Sequence, residues 1–158
     1  MKRTLGILVV FAAALTSSGQ FKQFSDVPAY NAEAPARGQT LPAIWTEAQL
    51  LASNNAMPAQ IASYKAAARV PNVLHQLPCY CFCDRSFGHN SLHSCFEGVH
   101  GAHCSTCMKE ALFAEQQTRL GKSPKHIREL IMRGEHDKID LSKVTPASVP
   151  SGKSKAGF

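Results

Sequence analysis

The run Pro78-Cys79-Tyr80-Cys81-Phe82-Cys83, followed by Cys95 and by Cys104-Ser105-Thr106-Cys107, contains every cysteine of a 158-residue chain. Histidines are interleaved or adjacent: His75, His89, His93, His100 and His103. Residues 71–104 offer few apolar positions at a helical or strand period, so this stretch cannot bury a core of its own. Something covalent or coordinative must fasten it to its neighbours.

Those neighbours read as helices. Pro58 suits a first helical position, and Ile61, Tyr64 and Ala68 follow at helical spacing before Pro71 ends the run. A second helix starts after Cys104 with Ser105 or Thr106 as its cap. It runs to Leu120, where Gly121 can end it, and its inner stripe is Cys107, Met108, Ala111, Leu112 and Ala114. A third has Ser123 as cap, Pro124 next, and Ile127, Leu130 and Ile131 facing inward. The fold class expected is all-α: a small helical domain, residues 57–141, with the Cys/His-rich loop fastened onto the N-terminal end of an αα-hairpin.

The remaining segments differ in composition. Lys2 and Arg3 precede an apolar run from Leu5 to Leu15, then Thr16-Ser17-Ser18-Gly19. That pattern is a secretory signal peptide, residues 1–19, because the run is too short for a spanning helix of ~20 residues. No stable membrane span is expected once it is cleaved. Residues 20–56, rich in Ala, Pro, Gln and Asn, read as a flexible spacer, with a turn of helix near residues 44–51 and Trp45 as a packing anchor. Residues 142–158 are dominated by Ser, Pro, Lys and Gly and are expected to be a disordered tail. Without residues 1–19 the chain has 15 basic and 11 acidic residues, a net +4, with Lys143, Lys153 and Lys155 in the tail. The domain itself is close to balanced, which argues against a nucleic-acid partner.

Two physical accounts fit the cysteines. In an oxidising compartment each of Cys79, Cys81 and Cys83 would pair with one of Cys95, Cys104 and Cys107, since a Cys-x-Cys bridge is strained. Alternatively the thiolates bind metal. Alternate residues of an extended segment point the same way, which would let Cys79, Cys81 and Cys83 converge. Cys104 and Cys107 stand three apart across a helix start, where the dipole favours thiolate and the bite suits one tetrahedral ion. Six Cys with two His supply eight donors, the count for two four-coordinate ions or one bridged cluster. Sulfur with imidazole selects copper(I) or zinc(II) over hard cations. The histidines favour metal, because a disulfide scaffold has no use for five of them. A thiol-disulfide oxidoreductase using Cys104 and Cys107 is a further alternative, although no α/β pattern precedes the pair. Covalent haem is excluded because Met108, not His, follows Cys107. Finger and ferredoxin spacings are absent.

Taken in order, Pro78-Cys79-Tyr80-Cys81-Phe82-Cys83, Gly88-His89, Ser91-Leu92, Cys95-Phe96, His100, Cys104, Cys107 and the helix pair ending near Ile127-Arg128-Glu129 resemble the PCYCGC-motif proteins. These are exported, often lipid-anchored bacterial proteins of unknown function. Phe82 stands where the motif's name has Gly, and no lipobox cysteine follows the apolar run. The resemblance implies His89 and His100 as the ligand histidines, with His75, His93 and His103 peripheral.

The ligand set expected is therefore Cys79, Cys81, Cys83, His89, Cys95, His100, Cys104 and Cys107, holding copper or zinc in a periplasmic or extracellular protein. A protein metal donor or acceptor would be its partner. Asp84 and Arg85 read as a turn and its solvated partner, with orientation of a ligand imidazole as the alternative for Asp84, and Tyr80 and Phe82 are expected to shield the sulfurs. Met108 reads as core rather than ligand. Glu97 and Glu110 are too far apart for a catalytic pair, and His126 and His136 are expected in solvent. No reaction is legible in the chain.

Overall fold

A computed structural model describes residues 26–151. The apolar run and the signal peptide inferred from it lie outside these residues. Within them the protein is all-α, with six α-helices and no strand: α1 Glu47–Ala52, α2 Pro58–Arg69, α3 Pro71–His75, α4 Cys83–Phe87, α5 Ser105–Arg119 and α6 Pro124–Met132. Single turns of 3-10 helix at Leu92–Phe96, His100–His103 and Glu135–Lys138 complete the part that positions the Cys/His segment.

The long helices begin and end on local chemistry. α2 opens with Pro58, and Gln60 Oε1 accepts from the Met57 backbone N–H at 2.9 Å. It stops at Val70, and Pro71 immediately starts α3. α5 is capped by neither Ser105 nor Thr106. Cys104 takes the cap position, its Sγ accepting from the Cys107 N–H at 3.4 Å, because its extended backbone leaves Ser105 already helical. At the far end Gly121, at φ 77°, closes α5: its N–H bonds Thr118 O at 2.9 Å and that of Lys122 bonds Gln117 O at 3.0 Å. Ser123 Oγ accepts from His126 N and opens α6.

α2 lies along α5, and α6 folds back against α5 as the expected hairpin. α2 buries Ile61 and Tyr64 as expected, together with Gln60, Ser63 and Ala67, and on its other side Ala62 and Ala66. Ala68, expected inward, is exposed near the end of α2. Tyr64 meets Phe96 edge-to-face at 4.9 Å. Leu74, Leu77, Leu92, Phe96, Ile127 and Ile131 fill the core, each adding about 1.5–3 kcal/mol of burial. Gly101 is required where it stands, because a Cβ would sit 2.9 Å from both Cys95 O and the Phe96 ring.

The flanks are more ordered than their composition implies. In the supposed spacer Leu50 is fully buried and Trp45 packs partly buried on the core, its N–H donating to Phe96 O at 3.0 Å. Arg128 lies 4.4 Å from the Tyr30 ring centroid. Beyond Leu141, residues 142–151 lie on the outer side of α2 and α5, where Val149 joins Ala62, Ala66 and Leu112 in a second apolar cluster. Lys65 Nζ donates to Pro146 O, and Arg69 donates to Pro150 O and Ser151 O. Arg69 also pairs with the buried Glu115 carboxylate at 3.0 Å. His136, expected in solvent, is 5 % exposed because the turn after α6 folds it inward.

Arg69→Met should destabilise the protein by about 2 kcal/mol in denaturant unfolding, since it leaves the buried Glu115 carboxylate only the longer contact with Arg119 at 3.8 Å. Limited proteolysis should then cut after Leu141 in the variant before the wild type. Burial, seconded by Lys109, holds His136 below the ordinary histidine range, against the opposing pull of Asp137. Its contribution is complete above the unfolded value near 6.5 and is lost as pH falls through the lowered native value. Thermal stability should therefore drop less between pH 7 and 5 in His136→Gln than in wild type.

Candidate metal centre

The centre is assembled by three short pieces of backbone gathered at the N-terminus of α5. The first is a tight turn. Phe82 N–H bonds Cys79 O at 3.0 Å, so Cys79, Cys81 and Cys83 do not converge along an extended strand as their alternation suggests. They converge because the chain folds back at Phe82, which lies in the left-handed region at φ 58°, ψ 33°, and then enters α4 at Cys83. That conformation costs a residue with a Cβ about 1–2 kcal/mol, and glycine little. Phe82, standing where the motif's name has Gly, is held there by Arg85, whose guanidinium lies 4.1 Å from its ring centroid.

The second piece is the 3-10 turn carrying Cys95, pinned by Leu92 N–H to Leu77 O at 2.8 Å. The third joins the 3-10 turn at His100 to the start of α5, which brings Cys104 and Cys107. Gln60 Nε2 holds this piece through Ala102 O at 2.8 Å, and the Tyr64 hydroxyl bridges Gly98 O and Ala102 N–H.

All eight expected donors are brought together. Cys79 Sγ lies 3.3 Å from both Cys81 Sγ and Cys107 Sγ, and Cys81 lies 3.7 Å from Cys107. Cys83 and Cys95 are 3.4 Å apart, and Cys95 is 3.4 Å from His89 Nδ1. Two four-donor groups result, each with ligand atoms within 4.8 Å of one another: Cys81, His100, Cys104, Cys107, and Cys83, His89, Cys95, His100. Cys79 joins them, grouping with Cys81 and Cys83 on one side and with Cys95 and Cys107 on the other. None of the six cysteines is in a disulfide. An ion with sulfurs at about 2.3 Å separates them by about 3.8 Å at tetrahedral angles, close to these contacts and far from a disulfide's ~2.05 Å. The cluster can hold a metal ion.

The thiols share their protons unequally. Cys107 is pushed up, first by its hydrogen bond with Cys104, then by those with Cys79, Cys81 and Cys83, and by burial. Cys81 is pushed down, first by Cys104 and then by Cys107 and Cys79. Cys83 is pushed down chiefly by Cys107.

His75, His93 and His103 stand outside both groups. His75 contacts Asn31, His93 pairs with Glu97 at 2.8 Å, and His103 is exposed. Met108 is half-buried and belongs to neither group. Asp84 orients no imidazole: its Oδ2 accepts from Ala29 N–H at 3.1 Å and fastens the N-terminal segment instead. The residue that sequence reasoning missed is Glu110. It is fully buried, and its Oε1 accepts from Tyr80 N–H at 2.9 Å, steadying the turn between Cys79 and Cys81. Burial pushes its carboxyl well above the usual range. Its signal was its place three residues after Cys107, on a helix face otherwise lined by Ala111 and Ala114.

Phe82→Gly and Phe82→Ala both lose the ring, but only alanine keeps the left-handed strain. The glycine variant should be about 1 kcal/mol the more stable in chemical unfolding; equal stabilities would show that the turn carries no strain.

No curated protein and no solved structure matches this chain. The family described as protein of unknown function with PCYCGC motif matches residues 48–150, from α1 through the packed C-terminal segment, and the chain belongs to that family.

Proposed function

We propose that the protein binds a thiophilic metal ion outside the cytoplasm, copper(I) in preference to zinc(II), for delivery, storage or resistance. The observation that carries this reading is the environment of Cys79. Its sulfur groups with those of Cys81, Cys83, Cys95 and Cys107, with imidazoles beyond. A disulfide sulfur has one partner, whereas one that neighbours four is arranged as a ligand. Copper is favoured because soft thiolates dominate the set, and zinc is next because each group reaches four donors. Export, to a periplasm or beyond the cell, rests on the basic start and apolar run at Leu5–Leu15. No helix among the described residues is long and apolar enough to cross a membrane.

Elemental analysis of the purified protein should find copper or zinc. The native protein should resist alkylation, and six thiols should react once it is chelated and denatured. His89→Ala and His100→Ala leave every cysteine in place, yet each should weaken metal affinity by ~10-fold or more. Unchanged metal content in both, with no free thiols in the denatured protein, would make the domain a stapled scaffold. Reduction of insulin disulfides abolished by Cys104→Ser would make it an oxidoreductase.

A further inference from the structure

The two four-donor groups share His100 but differ in access. In the first, Cys81, His100 and Cys104 are all half-buried and only Cys107 is fully buried. In the second, Cys83 and Cys95 are buried. Its imidazoles are half-buried and neighbour the exposed Phe87 ring, 4.6 Å from His100 and 5.9 Å from His89, while His89 and His100 themselves meet edge-to-face at 4.8 Å. Cys79 groups with Cys81 and Cys107 of the first and with Cys83 and Cys95 of the second, and His100 belongs to both, so the eight donors are enough for four at each of two ions.

Resting on the metal-binding reading, we infer that the centre is binuclear and asymmetric: the ion at Cys81, Cys104 and Cys107 is exchanged with a thiol-bearing acceptor, and the ion at Cys83, Cys95 and His89 is retained. Ligand substitution at a sulfur needs an approach path to that sulfur, and of the two groups only the first has cysteines, Cys81 and Cys104, that are not buried. The incoming thiol's sulfur forms a bond to the ion as the bond from Cys104 Sγ breaks. The thiol's proton passes to Cys104 Sγ, and neither the ion nor any sulfur changes oxidation state. The acceptor is thus a protein or small molecule with an accessible cysteine thiol. The retained ion ties α4 to the 3-10 turn at Leu92–Phe96, a structural job that does not require access.

The test uses the protein saturated with zinc and mixed with excess 4-(2-pyridylazo)resorcinol, which reports zinc as it is released. About two equivalents should leave in two phases of equal amplitude, the rates differing by about tenfold or more. Cys104→Ser should remove the fast phase and leave the slow one, and this variant should fold because serine is itself a preferred helix cap. Phe87→Ala, at a surface ring beside His89 and His100, should accelerate the slow phase. A single phase, a total of one equivalent, or loss of the slow phase in Cys104→Ser would overturn the inference while leaving metal binding intact. No zinc bound at all would remove the metal-binding reading itself.

Discussion

The hydroxyl of Tyr64 donates to Gly98 O and accepts from Ala102 N–H, and much of the domain is organised by that bridge. It joins α2 to a backbone stretch that has little apolar surface to hold it. Phe96, packed edge-on against the same ring, carries the turn that presents Cys95. Gly101 lets that turn close against the Cys95 carbonyl, and the chain then reaches α5 at the register that aims Cys104 and Cys107 inward. Without the bridge the sulfurs would have to find one another by coordination alone. With it they are gathered by the helices before any ligand is considered.

Gathering thiols at 3.3–3.7 Å has an electrostatic cost, because closely spaced sulfurs cannot all ionise. The protein distributes that cost instead of removing it. The neighbouring sulfurs hold Cys81 and Cys83 below the ordinary thiol range, while Cys79, Cys95 and Cys107 stand above it. The start of α5 adds a positive dipole at Cys104, the residue that caps it. Glu110 shares the buried face of α5 with Cys107, where burial pushes its carboxyl well above the usual range while Oε1 steadies the Tyr80 amide.

Helix placement was legible because Pro58, Pro71, Gly121, Ser123 and Pro124 act through purely local geometry. The eight convergent donors were legible because cysteine spacing and interleaved histidines have few readings, two of those histidines coming from the family pattern. What escaped was set by tertiary contact. The cap of α5 is Cys104 because the preceding turn leaves that residue extended, which no propensity of Ser105 or Thr106 reveals. The Cys triplet turns back at Phe82 although nothing in a phenylalanine announces positive φ. Residues 142–151 looked unable to order by composition, yet one valine and three backbone carbonyls accept what α2 offers them. Buried Glu110 and His136 are polar positions on packed faces, invisible to any pattern built on hydropathy.

The segment before α1 crosses the domain as a strap. Ala29 is fastened to Asp84 beside Cys83, Asn31 to His75, Tyr30 to Arg128 and Trp45 to Phe96 beside Cys95. A spacer joined to the domain only near residue 57 would let the sulfurs face any direction relative to what precedes them. Four attachments on different elements remove that freedom, so the centre keeps a fixed bearing relative to residue 26. The cluster therefore cannot turn independently of the chain that enters at Ala29.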